Sequence, residues 1–178
     1  MPSASLELML LSADTAAAHL PELASLLHAC VQGGASVSFV LPYTQEDAQA
    51  FWRGKVLPAV ASGTLKLWVV RQDGRIAGSV QLDTDTPPNQ PHRAEVRKLL
   101  VHPDFRRQGI ARRMMLEVDA MAARLGRSLI TLDTRTGDSA EPLYASLGYQ
   151  KVGVIPGFSR DPFDAAKVDG TTIMYKQL

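Results

Sequence analysis

Apolar residues at Leu20, Leu23, Ala24, Leu27, Cys30 and Val31 recur in steps of three and four. That period gathers side chains on one face of a helix. Pro21 suits the first turn of such a helix, and Gly33-Gly34 end it. A second helix is predicted from about Thr44, with Glu46 and Asp47 in its first turn and Phe51, Trp52, Val56 and Val60 on its buried side. Pro58 should bend or shorten it. A third run, Ile110, Met114, Val118, Met121 and Leu125, predicts a longer helix ended by Gly126. Strands are predicted over 5–11, 64–70, 75–83, 92–101, 127–134, 149–155 and 171–177. Gln72-Asp73-Gly74 between two of these is a hairpin signal, because Asp-Gly tolerates positive φ. Thr86-Pro87-Pro88-Asn89 and residues 156–170 are predicted loops, and Asp138 is expected to cap a short helix through Leu147.

The resulting order, β-α-α-β-β-β-α-β-α-β-β, is too mixed for a doubly wound sheet. It predicts an α/β (α+β) fold, a mixed sheet with helices on both faces, in a single domain over 1–178. A chain of 178 residues can bury a substantial core, and 46% hydrophobic with 21% charged residues is ordinary for a soluble globular protein.

Charge then narrows the ligand. Nineteen basic residues against eighteen acidic leave a net charge of +1, so no global field draws the chain to nucleic acid or to a membrane. The positive charge at 106–113 is local, which suits a small anion better than a polymer. The single cysteine, Cys30, cannot form an intramolecular disulfide and follows Leu27 at helical spacing, as a core residue would. With neither a leader pattern nor a run of transmembrane length, a cytoplasmic location is expected. The four histidines, His19, His28, His92 and His102, show no metal-ligand spacing, and no metal is expected.

Residues 97–117, RKLLVHPDFRRQGIARRMMLE, carry the clearest chemistry. A strand enters a His-Pro turn, then a basic loop with one glycine, then a helix. Unpaired N–H groups at a helix start, with the positive end of the helix dipole behind them, bind phosphate oxygens. Gly109 lets backbone approach a ligand closely, and Arg106, Arg107, Arg112 and Arg113 add positive charge. A Walker loop is excluded, since no Gly-Lys-Ser/Thr follows; a dinucleotide fingerprint is excluded, since only one glycine is present.

The spacing Arg106-x-x-Gly109-x-Ala111 resembles the acyl-CoA-binding signature of the GNAT N-acetyltransferase superfamily. Ala140, Leu143, Tyr144, Gly148 and Tyr149 resemble its second signature; Gly137 stands where the family usually has Asn, so Asp138 or Ser139 would take over that contact to the pantetheine arm. The resemblance implies a mixed, mostly antiparallel sheet and acetyl-CoA as cosubstrate. Its pyrophosphate would lie on the loop Arg106, Arg107, Gln108, Gly109, Ile110, Ala111 and Arg112, and its pantetheine along the strand Leu99, Leu100 and Val101. Tyr144 would act at the thioester sulfur as acid or hydrogen-bond donor.

Acetyl transfer also needs a base for the ammonium. The resemblance implies Glu95, on the strand leading to the loop; period-two alternation puts Glu95, Arg97, Leu99 and Val101 on one face and Val96, Lys98 and Leu100 on the other. Pairing of Glu95 with Arg97 or Lys98 is the structural alternative. Asp133, at the tip of a central strand, would bind the ammonium, share the base role or cap the following turn.

Several segments, among them 33–39, 67–70, 93–96 and 152–158, also resemble family members that acetylate a toxin. These imply a small-molecule amine, toxin- or antibiotic-like; with no nucleophilic cysteine placed for a covalent route, direct transfer in a ternary complex is expected, by a monomer or homodimer. The alternatives are acetylation of protein N-termini or lysines, and a catalytically silent CoA-binding sensor.

Overall fold

The computed structural model describes residues 6–178, so Ser5, the first residue of the first expected strand, lies outside the described residues. Strands β1 (Glu7–Leu11), β2 (Leu65–Gln72), β3 (Arg75–Asp83), β4 (Arg93–Val101), β5 (Leu129–Arg135), β6 (Gln150–Arg160) and β7 (Val168–Gln177) form one sheet in the order β1-β2-β3-β4-β5-β7-β6. Every pairing is antiparallel except β4 with β5. The fold is therefore the expected mixed, mostly antiparallel sheet. Asp73 and Gly74, at φ 51° and 76°, make the two-residue turn between β2 and β3.

Both faces of the central strands are covered. On β2, Trp68 and Val70 join a core beneath helices α5 (Ile110–Arg124) and α6 (Ala140–Ser146). Leu67 and Val69 join a second core beneath α2 (Leu20–Gln32) and the helical segments over 45–61. Period-two alternation thus serves two cores, and the strand reads as a continuous apolar run.

The expected second helix is divided. α3 (Gln45–Phe51) starts on a capping box in which Thr44 and Asp47 satisfy each other's backbone N–H groups. Residues Trp52–Val56 then widen into a π turn, and α4 (Leu57–Ala61) carries Pro58. Proline has no N–H and its ring crowds the carbonyl four residues back, which gives the widening its cause. A short helix α1 (Ala13–Ala18), capped by Ser12, was not expected. It buries only Ala16, too little to leave a periodic signal.

Four expectations are corrected. In α5 the buried face is Ile110, Met114, Met115, Val118 and Ala122, while Leu125 falls on the C-cap, where the chain leaves the helix, and is 41% exposed. The predicted loop 156–170 shrinks to 161–167, because β6 continues through Pro156-Gly157. β6 lies at the sheet edge, where a proline without a donor is tolerated, and its register with β7 shifts between Ile155 and Ser159. The N-cap of α6 is Ser139; the Asp138 carboxylate instead accepts from the Ser139 N–H at 2.6 Å.

The fourth lies in β4. Its register with β3 passes from Gln81↔Arg97 to Ser79↔Leu100, so Lys98 and Leu99 together oppose Val80, and Lys98 takes φ 49°. This β-bulge shifts the phase of the strand. Leu99 and Val101 pack toward α5 with Ala94 and Val96, and Leu100 packs on the opposite side. They do not share the face of Glu95.

Candidate active site

Strands β4 and β5 pair only at Arg93↔Leu129, Ala94↔Ile130 and Glu95↔Thr131. Beyond that register they part, and a cleft of about 1070 Å³ opens between them. The β5-side backbone edge of Leu99 to Val101 is thereby left without a neighbouring strand. An extended ligand arm bearing amides can complete such an edge as an added strand would.

One end of the cleft is the helix start. His102 and Pro103 turn the chain, and buried Phe105 pins the turn in the core beneath the Arg75 guanidinium, 5.0 Å from its ring. Arg107 (φ 64°) and Gly109 (φ 78°) bend the loop so that α5 begins at Ile110. A Cβ built on Gly109 would meet nothing within 4 Å, so the loop faces open space. Arg106, Arg107, Gly109, Ile110, Ala111 and Arg112 all line the cleft. Ile110 buries its side chain in the core. Gln108 is not among the lining residues; its side chain accepts from Gln72 Nε2 at 2.9 Å and braces the loop to β2. Arg113 is also turned away, donating to the Leu6 carbonyl at 2.7 Å. The free amides at the start of α5, the glycine facing open space and three lining arginines fit a pyrophosphate group.

The carboxylates gather at the other end. Glu95 and Thr131 are register partners and Asp133 lies two residues beyond, so pleating puts all three on the face turned away from α5. Glu95 is held by Arg97 Nε at 3.4 Å and Arg93 Nη1 at 3.9 Å. It is thus both ion-paired, as its neighbours suggested, and part of the cleft wall. Asp133 accepts from the Thr171 hydroxyl at 2.9 Å.

Tyr144, on α6, is 5% exposed and lines the cleft. Burial pushes its phenol well above the ordinary tyrosine range, and the charges of Asp138 and Asp133 push it further. It keeps its proton and so has an O–H to donate. Asp138 and Ser139 line the cleft beside it, Asp138 tied to Arg135 Nη2 at 3.4 Å.

Lys98 was not singled out in the sequence. The bulge delivers it to the carboxylate end of the cleft, where its ammonium donates to Ser38 Oγ at 3.0 Å and lies 5.7 Å from the ring centroids of Phe39 and Phe51. Burial lowers its pKa and Arg97 lowers it further, while Asp133 and Glu95 act the other way. No local periodicity signals Lys98, because Ser38 lies 60 residues away in sequence.

Residues 63–151 match the model of the GNAT acetyltransferase domain. The chain belongs to this family. It is 32% identical to an uncharacterized N-acetyltransferase of Azospirillum brasilense, over 63% of this chain and 66% of that protein. The chain therefore matches just under two thirds of that relative's length, and 39% of the length of human N-acetyltransferase 8, at 36% identity over 48% of this chain. Among solved structures, YncA of Salmonella typhimurium, determined with its cofactor acetyl-CoA, superposes with a TM-score of 0.75 at 15% identity, covering 97% of this chain and 94% of that one. At such identity the likeness is one of fold. Among the described residues no helix is long and apolar enough to cross a membrane, and no cluster of His, Cys, Asp or Glu is arranged to hold a metal.

Proposed function

We propose that this chain is an acetyl-CoA-dependent N-acetyltransferase that acetylates a small-molecule primary amine by direct transfer in a ternary complex. The observation that carries the reading is the single cleft with an arginine-rich helix start at one end and Glu95, Asp133 and Tyr144 at the other. When bound, acetyl-CoA supplies the acyl thioester. Arg106, Arg107, Arg112 and the amides over 106–112 hold its pyrophosphate, with Gln108 contributing backbone only. The edge Leu99, Leu100 and Val101 takes the pantetheine amides, with Asp138 and Ser139 at the opposite wall.

Glu95 and Asp133 receive the proton that the ammonium must lose before its nitrogen can attack, directly or through water. Tyr144 donates a hydrogen bond to the sulfur as negative charge develops there. Cys30 does not enter the chemistry: burial raises its thiol to about 11, so it carries little thiolate at neutral pH.

A small acceptor is favoured by the loop Asp161–Lys167. Leu41 N–H donates to the Pro162 carbonyl at 3.0 Å. The Phe163 ring lies so close to Gly34 that a Cβ there would collide with it. The loop between β6 and β7 thus packs against the segment 33–41, part of which walls the cleft, and this favours a short acceptor over a long peptide. Segments 33–39, 67–70, 93–96 and 152–158 resemble the tabtoxin resistance protein, an acetyltransferase that blocks the amine of a β-lactam toxin. A toxin- or antibiotic-like amino compound, and hence a resistance role in the cytoplasm, is the finer reading.

The test is Glu95→Gln with thiol release as the readout. Turnover should fall about 100-fold at neutral pH and recover in part at higher pH, where more of the amine is free. Unchanged rates would remove Glu95 from the base role.

A further inference from the structure

The acceptor end holds both signs of charge, and their pairing is uneven. Arg97 is occupied by Asp83 at 2.8 Å and Glu95 at 3.4 Å. Arg135 is occupied by Asp138 at 3.4 Å and Asp169 at 3.8 Å. Among the described residues, Lys98 has no carboxylate within 4 Å; its one hydrogen-bond partner is the neutral hydroxyl of Ser38. A half-buried ammonium given only a hydroxyl and two aromatic faces retains donor capacity, and Glu95 and Asp133 act on its charge only from beyond ion-pair distance.

The backbone that creates this arrangement is itself costly. Among the described residues, Lys98 (φ 49°) and Ser38 (φ 81°) are two of the four non-glycine residues with positive φ, and they meet in one hydrogen bond. Two residues held in a sparsely populated region, joined at a cleft wall, mark a place where strain is kept for function. The bulge at Lys98 is what turns this side chain toward Ser38, Phe39 and Phe51 on the acceptor side.

We propose that Lys98 is the acceptor's anion anchor, so that the amine acetylated here also bears a carboxylate. The ammonium of the acceptor faces Glu95 and Asp133, and its carboxylate pairs with the remaining N–H donors of the Lys98 ammonium. Phe39 and Phe51 exclude water from that pair. The favoured acceptor class is therefore a free amino acid or an amino-acid-like compound. Simple alkylamines, polyamines and peptide N-termini lack the second charge at the right place. This inference rests on the acetyltransferase reading and adds to it a specificity residue.

The test uses the full chain, acetyl-CoA and a matched panel: free L-amino acids and 4-aminobutyrate, each beside its carboxamide and its carboxylate-free amine. For the best acceptor, kcat/KM should exceed that of its carboxamide at least tenfold. Lys98→Met should bring that ratio to within threefold, mainly by raising the acceptor KM, with the KM for acetyl-CoA unchanged. Lys98→Arg should keep part of the preference. If amines are acetylated equally well with and without the carboxylate, or if Lys98→Met keeps the full preference, the assignment of Lys98 is overturned while the acetyltransferase reading stands. If acetyl-CoA binds and no amine in the panel is acetylated, both fall. Should Lys98→Met fail to fold, the wild-type ratio and the Lys98→Arg variant still decide.

Discussion

Tyr144 shows how one residue's surroundings select its chemistry. Its ring is buried among core side chains, 5.9 Å from the ring of Tyr149, while Asp138 and Asp133 add negative charge nearby. All three influences favour the neutral phenol, so its ionisation moves above the ordinary tyrosine value. A phenol so reluctant to ionise is a better hydrogen-bond donor to developing sulfur charge than an outright proton donor. Tyr144→Phe should therefore lower kcat about 100-fold with little change in acetyl-CoA affinity. Because the phenol stays protonated past its usual range, the wild-type and Tyr144→Phe pH–rate profiles should keep the same alkaline limb below about pH 10. A limb present in wild type and lost in the variant would contradict this. The places of Glu95, Asp133, Tyr144 and the basic loop on the cleft wall were legible in the sequence, because strand position and short signatures mark them. Lys98 and Gln108 were not, since their roles depend on Ser38 and Gln72, which lie 60 and 36 residues away.

At the scale of elements, the position of the α5 start depends on how closely that helix approaches β3. Gly78 is the contact point: a Cβ there would come within 2.9 Å of Ile110 Cγ2 and of the Leu100 carbonyl, and within 3.0 Å of Met114 Cε. Gly78→Ala should therefore push α5 outward, at a cost of about 1–3 kcal/mol for overpacking. For a chain of this length that lowers the melting temperature by about 2–4 °C per kcal/mol. Because Ile110 is the first residue of α5, the variant should also bind acetyl-CoA more weakly, measurable by calorimetry. An unchanged melting temperature and affinity would show that the contact relaxes at no cost. The helices with wide apolar faces and most of the sheet were readable from periodicity. The π turn, α1 and the bulge in β4 were not, because a missing donor, a cap or one inserted residue produces them without altering the apolar count.

Across the whole molecule, the sheet is two antiparallel blocks, β1–β4 and β5–β7–β6, joined by the three-residue parallel pairing of β4 and β5. Helix α5 packs on the first block through β2, β3 and β4, and α6 carries Tyr144 beside the second. A buried network crosses the division: Asp119 of α5 accepts from the Tyr149 hydroxyl at 2.7 Å and from Lys176 of β7 at 2.6 Å. A ligand held by the loop at 106–112, the β4 edge and the α6 wall touches both blocks, and so acts as a further tie between them. Such a ligand binds the folded chain and not the unfolded one, which at one hundred times its dissociation constant is worth about 2.7 kcal/mol. The melting temperature should rise by about 5–10 °C under that condition. Acetyl-pantetheine at the same concentration, lacking the pyrophosphate, should give a small fraction of that rise, because the arginines and free amides at the start of α5 then have no anion to hold. Equal shifts from the two thioesters would mean that the loop is not the phosphate site, and that the energy of binding comes from the strand edge alone.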